Sequence, residues 1–311
     1  MVYDKLDVVG DVHGQFEKLR ALLTMLGYRE RDGAYRHPAG RVAVFVGDLI
    51  DRGPDQLAVI KTVRRMADAG SALVLLGNHE WNALGFVTKQ PGSKSGRTVR
   101  PRSKKNLSQH GEFLTQVGEG SASHIECLDW FRTLPPMLDL GGLRIVHAWW
   151  SQEHVDHIRA TLGKQGLDEA FVIEGHRPGA PTKAAMDALT KGLELQMPEG
   201  ASYVTAEGYR HDKIRVAWWR HDARTYREAA IVPRDQMQAV PDTTLPAWYP
   251  LPPIEGSPIL TGHYWFTGKP TIESAKLAVL DYSAAKNGPL VAYRWDGETE
   301  LTNDHFVMVA A

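Results

Sequence analysis

The chain of 311 residues contains a single cysteine, so no disulfide can form within it. Scarce cysteine indicates a reducing compartment, and we predict that Cys127 is a buried structural thiol because no neighbouring motif supports a nucleophile. No apolar run approaches the ~20 residues that a membrane-spanning helix needs. The opening residues, Met-Val-Tyr-Asp-Lys, lack the apolar core of a signal peptide. These absences predict a soluble, cytoplasmic protein with no membrane partner.

A strong net charge is also absent, since 36 lysines and arginines stand against 37 acids. Such a chain has no global attraction to polyanions, so we expect no stable nucleic-acid complex, and any charge steering must be local. The local exception is residues 89–105, where Lys and Arg lie among Gly, Pro and Ser without an acid. This segment predicts an exposed basic loop. A solvated loop is the simpler interpretation, and a grip on an anionic substrate is the alternative.

Apolar runs that end in polar turns repeat along the first eighty residues. They predict strands at Leu6–Val9, Val42–Val46 and Ala72–Leu76, and helices over 15–27 and 55–69. Alternating strands and helices are typical of an α/β layered fold, in which ligands bind where the strands end.

The rest of the chain is less regular. Residues 106–134 have a helical pattern, and the proline-rich stretch 232–258 predicts an irregular loop. Further strands are predicted at Leu143–Val146, Ile214–Trp219, Ile259-Leu260, 276–282, 289–295 and 305–309. We predict one domain over residues 1–311, with insertions at about 85–130 and 150–255.

Metal-type ligands follow five of the predicted strands. They are Asp11 and His13, Asp48 and Asp51, Asn78 and His79, His147, and His263. Oxygen and imidazole ligands without thiolate suit Mn, Fe, Zn or Mg. A pair of ions ~3.5–4 Å apart needs a bridging carboxylate, and Asp48 is best placed for that role. Arg52 would then be available to a phosphate.

Three sequence blocks resemble the motifs of the calcineurin-like metallophosphoesterases, within the phosphoprotein-phosphatase branch. They are Gly10-Asp11-Val12-His13-Gly14, Gly47-Asp48-Leu49-Ile50-Asp51-Arg52-Gly53 and Gly77-Asn78-His79-Glu80. That branch includes bacterial phosphoprotein phosphatases, diadenosine-tetraphosphate hydrolases and the phosphatase domain of polynucleotide kinase-phosphatases. The resemblance is strong over about residues 5–82 and continues in order at His147 and His263.

The resemblance implies a four-layer α/β fold, a two-sheet β-sandwich flanked by helices. It also implies two divalent ions, with Mn first and Fe, Zn or Mg as alternatives. The implied metal ligands are Asp11 and His13 for the first ion, Asp48 between the two, and Asn78, His147 and His263 for the second. His79 matches the general acid, Asp51 the carboxylate that orients it, and Arg52 a phosphate clamp. Arg220 is the candidate for a second phosphate-binding arginine.

The resemblance further implies hydrolysis of a phosphomonoester by direct attack of a hydroxide held by the two ions. A Ser/Thr phosphoprotein is the first expected substrate. The alternative is a dinucleoside polyphosphate or a nucleic-acid end, and the rival class is a non-catalytic metal-binding scaffold.

The sequence departs from the family beside two ligands. Ala148-Trp149-Trp150 follows His147, and Tyr264-Trp265 follows His263. Aromatics there would narrow the cleft or offer stacking faces for a base. Core packing is the simpler interpretation of the tryptophans. Glu80 is left open between a functional role and a helix start. Seven further histidines are predicted to be surface or packing residues, namely His110, His124, His154, His157, His176, His211 and His221.

Overall fold

A computed structural model describes residues 3–163, 166–205, 208–249 and 251–310. Its strands are β1 (Leu6–Val9), β2 (Arg29–Arg31), β3 (Ala34–Arg36), β4 (Val42–Phe45), β5 (Ala72–Val74), β6 (Met137–Asp139), β7 (Arg144–Val146), β8 (Glu194–Gln196), β9 (Tyr203–Val204), β10 (Arg210–His211), β11 (Lys213–Val216), β12 (Ala230–Ile231), β13 (Ile259–Thr261), β14 (Ile272–Ser274), β15 (Leu277–Val279), β16 (Leu290–Trp295) and β17 (Phe306–Val309).

Helices alternate with many of these strands. They are α1 (Phe16–Met25), α2 (Gln56–Asp68), α3 (Asn78–Val87), α4 (Lys104–Val117), α5 (Ala122–Phe131), α6 (Gln152–Thr161), α7 (Glu169–His176), α8 (Pro181–Lys191) and α9 (Tyr226–Ala229). Short 3-10 segments lie at Arg234–Ala239, Ala284–Lys286 and Asn303–His305.

The chain forms two compact units. The first runs to Lys191 and resumes at Ser257, and it carries every predicted metal ligand; the second is Gly192–Gly256. Our expectation of one domain with insertions at about 85–130 and 150–255 stays a prediction.

Two sheets build the first unit. One has the order β17-β16-β1-β4-β5, in which β1, β4 and β5 are parallel. The other has the order β14-β15-β13-β7-β6, in which β7, β13 and β15 are parallel. One apolar core takes Val8 and Val44 from the first sheet, and Ile145 and Leu260 from the second. The predicted two-sheet sandwich is therefore confirmed.

The predicted early elements form where the apolar pattern places them. All four residues of β1 are buried, as expected for a central strand covered on both faces. Helix α1 packs on β16 and β17, whereas α2 packs on β5 and buries Val59, Ile60, Val63 and Met66. Burying one apolar face of a helix against a sheet is the main source of its stability.

Several predicted boundaries were wrong. Residues 78–80, read as a turn, begin helix α3, because the Glu80 carboxylate caps it by accepting the N–H of Gly77, 3.0 Å away. The pattern over 106–134 is two helices separated by Gly118–Ser121, and Gly118 has a φ of +73° that ends α4. The strand predicted over Ile214–Trp219 ends at Val216. The β2–β3 hairpin was not predicted.

The second unit has its own small core. Its β12-β11-β8 sheet buries Ile214 and Val216 against Tyr226 and Tyr249. Apart from a 3-10 segment, its described part of 232–258 has little regular structure, as predicted.

Cys127 is buried, and this burial raises the pKa of its thiol to about 11, which makes it a poor nucleophile. Within the described ranges, every helix is too short or too polar to cross a bilayer.

Candidate metal centre and active site

The predicted metal ligands meet at one end of the sandwich. The Nε2 atoms of His13 and His147 lie 3.6 and 3.4 Å from Asp48 Oδ2. His147 Nε2 and His263 Nδ1 lie 3.1 and 2.8 Å from Asn78 Oδ1. Asp48 is therefore central to the cluster.

The sixth predicted ligand, Asp11, joins the same cluster. Its Oδ2 accepts the N–H of His263 at 3.1 Å. Its Oδ1 is buried and has no hydrogen-bond partner among the residues that the structure describes. The structure thus brings together all six side chains that the sequence analysis named.

The two sheets place these residues at the carboxyl ends of their parallel strands. Asp11, Asp48 and Asn78 follow β1, β4 and β5, whereas His147 and His263 follow β7 and β13. Since parallel strands end at a common edge, residues far apart in sequence become neighbours.

The backbone around the ligands is strained. His13, Asp48 and His263 have φ values of +44°, +52° and +72°, a region that side chains disfavour. Such conformations persist only where the surroundings hold them, and they cluster at functional sites.

Two glycines allow the close approach of the ligand loops. A Cβ on Gly77 would lie 2.2 Å from Asp48 Oδ1, and one on Gly262 would lie 2.0 Å from Asp11 Oδ1. A side chain at either position would displace a carboxylate of the cluster.

The donor chemistry fits divalent cations. Two overlapping groups have ligand atoms within 4.8 Å of one another, His13, Asp48 and His79 in one, and Asp48, His147 and His263 in the other. His13 and His147 each donate Nδ1–H to a backbone carbonyl, of Ile50 and Val46, at 2.8 Å. A histidine held this way presents its Nε2 as the ligand atom. The buried His13 Nε2 also has no hydrogen-bond partner within the described part of the chain.

The pKa values of the buried histidines also favour a bound cation. Burial, with the charges of Arg52 and His79, lowers the pKa of His13 to about 3, so its imidazole is neutral, as a metal ligand must be. Burial opposes protonation of His147 as well, but the charges of Asp48 and Asp11 raise its pKa to about 10. The buried carboxylates therefore favour a cation beside them, a role that a metal ion fills more completely than a proton.

His79 and Asp51 form a hydrogen-bonded pair beside this cluster. His79 Nδ1 donates to Asp51 Oδ2 at 2.5 Å, and His79 Nε2 lies 3.8 Å from Asp48 Oδ2. Asp51 therefore fixes the ring while Nε2 faces the metal ligands. This is the geometry expected of a general acid whose other nitrogen is held by a carboxylate.

A residue that the sequence analysis assigned to packing or the surface also contacts this pair. His110 Nδ1 donates to Asp51 Oδ1 at 2.9 Å. The ring does pack between Phe86 and Phe113, but its partner is 59 residues away in sequence. Its helical, apolar context carries no signal for this contact.

One residue of the basic loop, Arg100, lies beside the His79–Asp51 pair. Arg100 lines a small cavity with Asp51, His79 and His110, and burial lowers the pKa of its guanidinium. Arg102 instead pairs with Glu119 at 2.7 Å. The loop is thus mostly exposed, with one arginine turned inward.

Glu80 is a structural partner of the ligand loop. Its carboxylate accepts the N–H groups of Asp48, Leu49 and Gly77 at 2.8 to 3.0 Å. It therefore ties the start of α3 to the loop after β4, which favours the helix-start interpretation over a chemical role.

The two predicted phosphate-binding arginines differ in their settings. The guanidinium carbon of Arg52 lies 5.0 Å from the ring centroid of Trp265. Arg220 belongs to the second unit, where its Nη1 donates to the carbonyl of Glu228 at 3.0 Å. The role of Arg220 stays a prediction.

The sequence is similar to one protein family and to two bacterial relatives described below. The calcineurin-like phosphoesterase family matches residues 5–205. The asymmetrical bis(5'-nucleosyl)-tetraphosphatase PrpE of Oceanobacillus iheyensis is 48% identical over 75 residues, 24% of this chain and 30% of that protein. The protein of the same name from Anoxybacillus flavithermus is 43% identical over 192 residues, 59% of this chain and 71% of that protein. The chain therefore covers less than a third of the first relative and over two thirds of the second.

Among solved structures, a serine/threonine protein phosphatase from Saccharomyces cerevisiae is similar at 14% identity with a TM-score of 0.49. The match covers 98% of this chain and 78% of that one.

Proposed function

The chain belongs to the calcineurin-like phosphoesterase family, and from this premise we propose that it is a hydrolase and that its substrate is a dinucleoside polyphosphate. The observation that carries the chemistry is the convergence of six candidate ligands, with Asp48 at their centre, beside the His79–Asp51 pair. The names of the relatives support the nucleotide substrate, which the sequence analysis held as its alternative to a phosphoprotein.

We propose that two divalent ions bind this cluster, with Mn first. Asp11 and His13 would hold one ion and Asp48 both, while Asn78, His147 and His263 would hold the other. Bound there, such ions polarise the phosphoryl group and lower the pKa of coordinated water.

The protein's own side chains would supply the remaining steps. His79 Nε2 protonates the leaving oxygen, while Asp51 holds Nδ1 and stabilises the charged ring. Arg52 binds the phosphoryl oxygens, where a guanidinium neutralises charge that builds up during transfer. The cytoplasmic location remains part of this proposal.

The test compares substrates under one condition. With Mn²⁺ present, kcat/KM is measured for diadenosine tetraphosphate and for a phosphoserine peptide, in the wild type and in the Asp48→Asn variant as the inactive control. We expect the nucleotide to be preferred. Preference for the peptide would reverse the order in favour of a phosphoprotein phosphatase, which the Gly47–Gly53 motif resembles.

The scaffold hypothesis predicts a third result. If neither substrate nor p-nitrophenyl phosphate is turned over with Mn, Fe, Zn or Mg while the protein still binds metal, the catalytic proposal is wrong.

A further inference from the structure

An exposed tryptophan lies two residues beyond the candidate ligand His263. The side chain of Trp265 is 42% exposed, whereas Trp150, which follows His147, is buried. Of the two aromatic departures noted beside the ligands, the second thus ends in a ring at the surface of the site. Single exposed apolar side chains are common on protein surfaces, so a role for this ring has to be argued from its surroundings.

The backbone at Trp265 is strained, and hydrogen bonds to a buried carboxylate hold this turn in place. Trp265 has a φ of +52°, which is rare for a bulky side chain. Its N–H donates to Asp281 Oδ2 at 2.9 Å, and the same buried carboxylate accepts the N–H of Ser283 at 3.0 Å. Strain that the surroundings hold in place in this way is typical of functional positions.

Two cations lie close to the indole. The Arg52 guanidinium carbon is 5.0 Å and the Lys286 Nζ 5.6 Å from the ring centroid. Arg52 directly follows Asp51, the partner of the candidate general acid, so in the proposed reaction this arginine would lie close to both the ring and a phosphate. Both cations lie over the indole, so a stacked base would replace their contacts with the ring and its phosphates would bind them instead.

We propose that Trp265 is a nucleobase subsite, on which one base of a nucleoside polyphosphate stacks while Arg52 and Lys286 bind its phosphates. This inference rests on the proposed function and names how the nucleotide is recognised. A phosphopeptide fits less well, because its single phosphate would use one cation and it carries no obligatory aromatic group.

The test isolates the base from the phosphate. Inhibition constants of AMP and of ribose 5-phosphate are measured against p-nitrophenyl phosphate hydrolysis by the Mn²⁺-loaded protein. Their ratio reports the base, because changes in phosphate binding cancel. Stacking on an aromatic side chain predicts a ratio of about tenfold or more in the wild type. In Trp265→Leu the ratio should fall to about 1. AMP loses the stacking of its base in this variant, whereas ribose 5-phosphate has no base to lose.

Two further variants make the result specific. Trp265→Phe keeps an aromatic face and should recover most of the ratio, which also separates lost stacking from a damaged fold. Met25, 59% exposed at the end of α1 in the first unit, provides the control for losing an exposed apolar side chain, and Met25→Ala should leave the ratio at the wild-type value.

The possible results separate a failure of the nucleobase subsite from a failure of the proposed function. If diadenosine tetraphosphate is hydrolysed but Trp265→Leu keeps the wild-type ratio, the subsite is wrong and the proposed function stands. If the wild type does not hydrolyse that nucleotide, the proposed function fails whatever the ratio. A wild-type ratio near 1, with a phosphotyrosine peptide weakened by Trp265→Leu, would overturn the nucleobase in favour of an aromatic side chain.

Discussion

His110 provides a second hydrogen bond to Asp51, and its replacement by phenylalanine should selectively slow the cleavage of poor leaving groups. Phenylalanine keeps a ring between Phe86 and Phe113, whose centroids lie 5.2 and 5.1 Å from that of His110. It removes the Nδ1 donor that lies 2.9 Å from Asp51 Oδ1. The substitution therefore removes the polar contact but places a larger ring in a buried site, and the same replacement at His124 controls for that added volume.

The size of the effect on kcat follows from the charge of the buried Asp51 carboxylate. Burial raises the pKa of Asp51, but hydrogen bonds from His110 and His79 outweigh it and hold the pKa at about 2. A hydrogen bond to a buried charge contributes about 1.5–3 kcal/mol. If about 1.5 kcal/mol of transition-state stabilisation is lost because His79 is less well oriented, kcat falls by about tenfold. A good leaving group needs little protonation, so its turnover should change by less than about threefold.

The assay compares kcat for p-nitrophenyl phosphate and for an alkyl phosphate in wild type and His110→Phe. His124→Phe is the matched control, because His124 is also buried against Phe113, while its Nδ1 accepts the N–H of Gly120 at 3.0 Å. An unchanged ratio of the two substrates in His110→Phe would refute the positioning role, as would an equal effect of His124→Phe.

Four other outcomes are expected. Asp48→Asn should lose both ions, measured as metal content by mass spectrometry, because Asp48 Oδ2 lies 3.6 and 3.4 Å from Nε2 of His13 and His147, candidate ligands of different ions. Gly77→Ala should lower metal content too, since its Cβ would meet Asp48 Oδ1 at 2.2 Å, whereas Gly111→Ala, in open space, should not. His79→Ala should keep the metal and lose most activity on alkyl phosphates; full retained activity would exclude it as the acid. Because the pKa of Asp51 is lowered from 3.8 to about 2, its stabilisation is complete above about pH 4 and lost as the pH falls through 2. The free energy of unfolding of wild type should accordingly drop by about 2 kcal/mol relative to Asp51→Asn over that range, measured with urea.

Much of the first unit could be predicted from local patterns. The bounds of β1 agree with the prediction, and its one charged residue, Asp7, is tolerated in a buried strand because Arg41 and Arg294 pair with it. The ligand motifs were recognisable because each joins a strand to a turn within a few residues. The start of α3 was missed because its cap is the side chain of Glu80, which also reaches the loop after β4.

The positions that complete the site were harder to predict. Asp281 follows β15 without any motif, yet it accepts the N–H of Trp265. The basic loop was expected near the substrate, but which arginine turns inward depends on packing against α4. Side chains of this kind act through contacts across the fold, and single-sequence patterns do not record such contacts.

The sequence by itself determined the order of the strands' polar exits and which side chains are candidate ligands, because these depend on short-range spacing and on side-chain chemistry. Only the tertiary structure decided that His110 bonds Asp51 and that Trp265 lies beside Arg52 with an exposed ring. Such pairings require two sheets to pack and bring distant segments to one edge, and the energy of that packing is spread over the whole core.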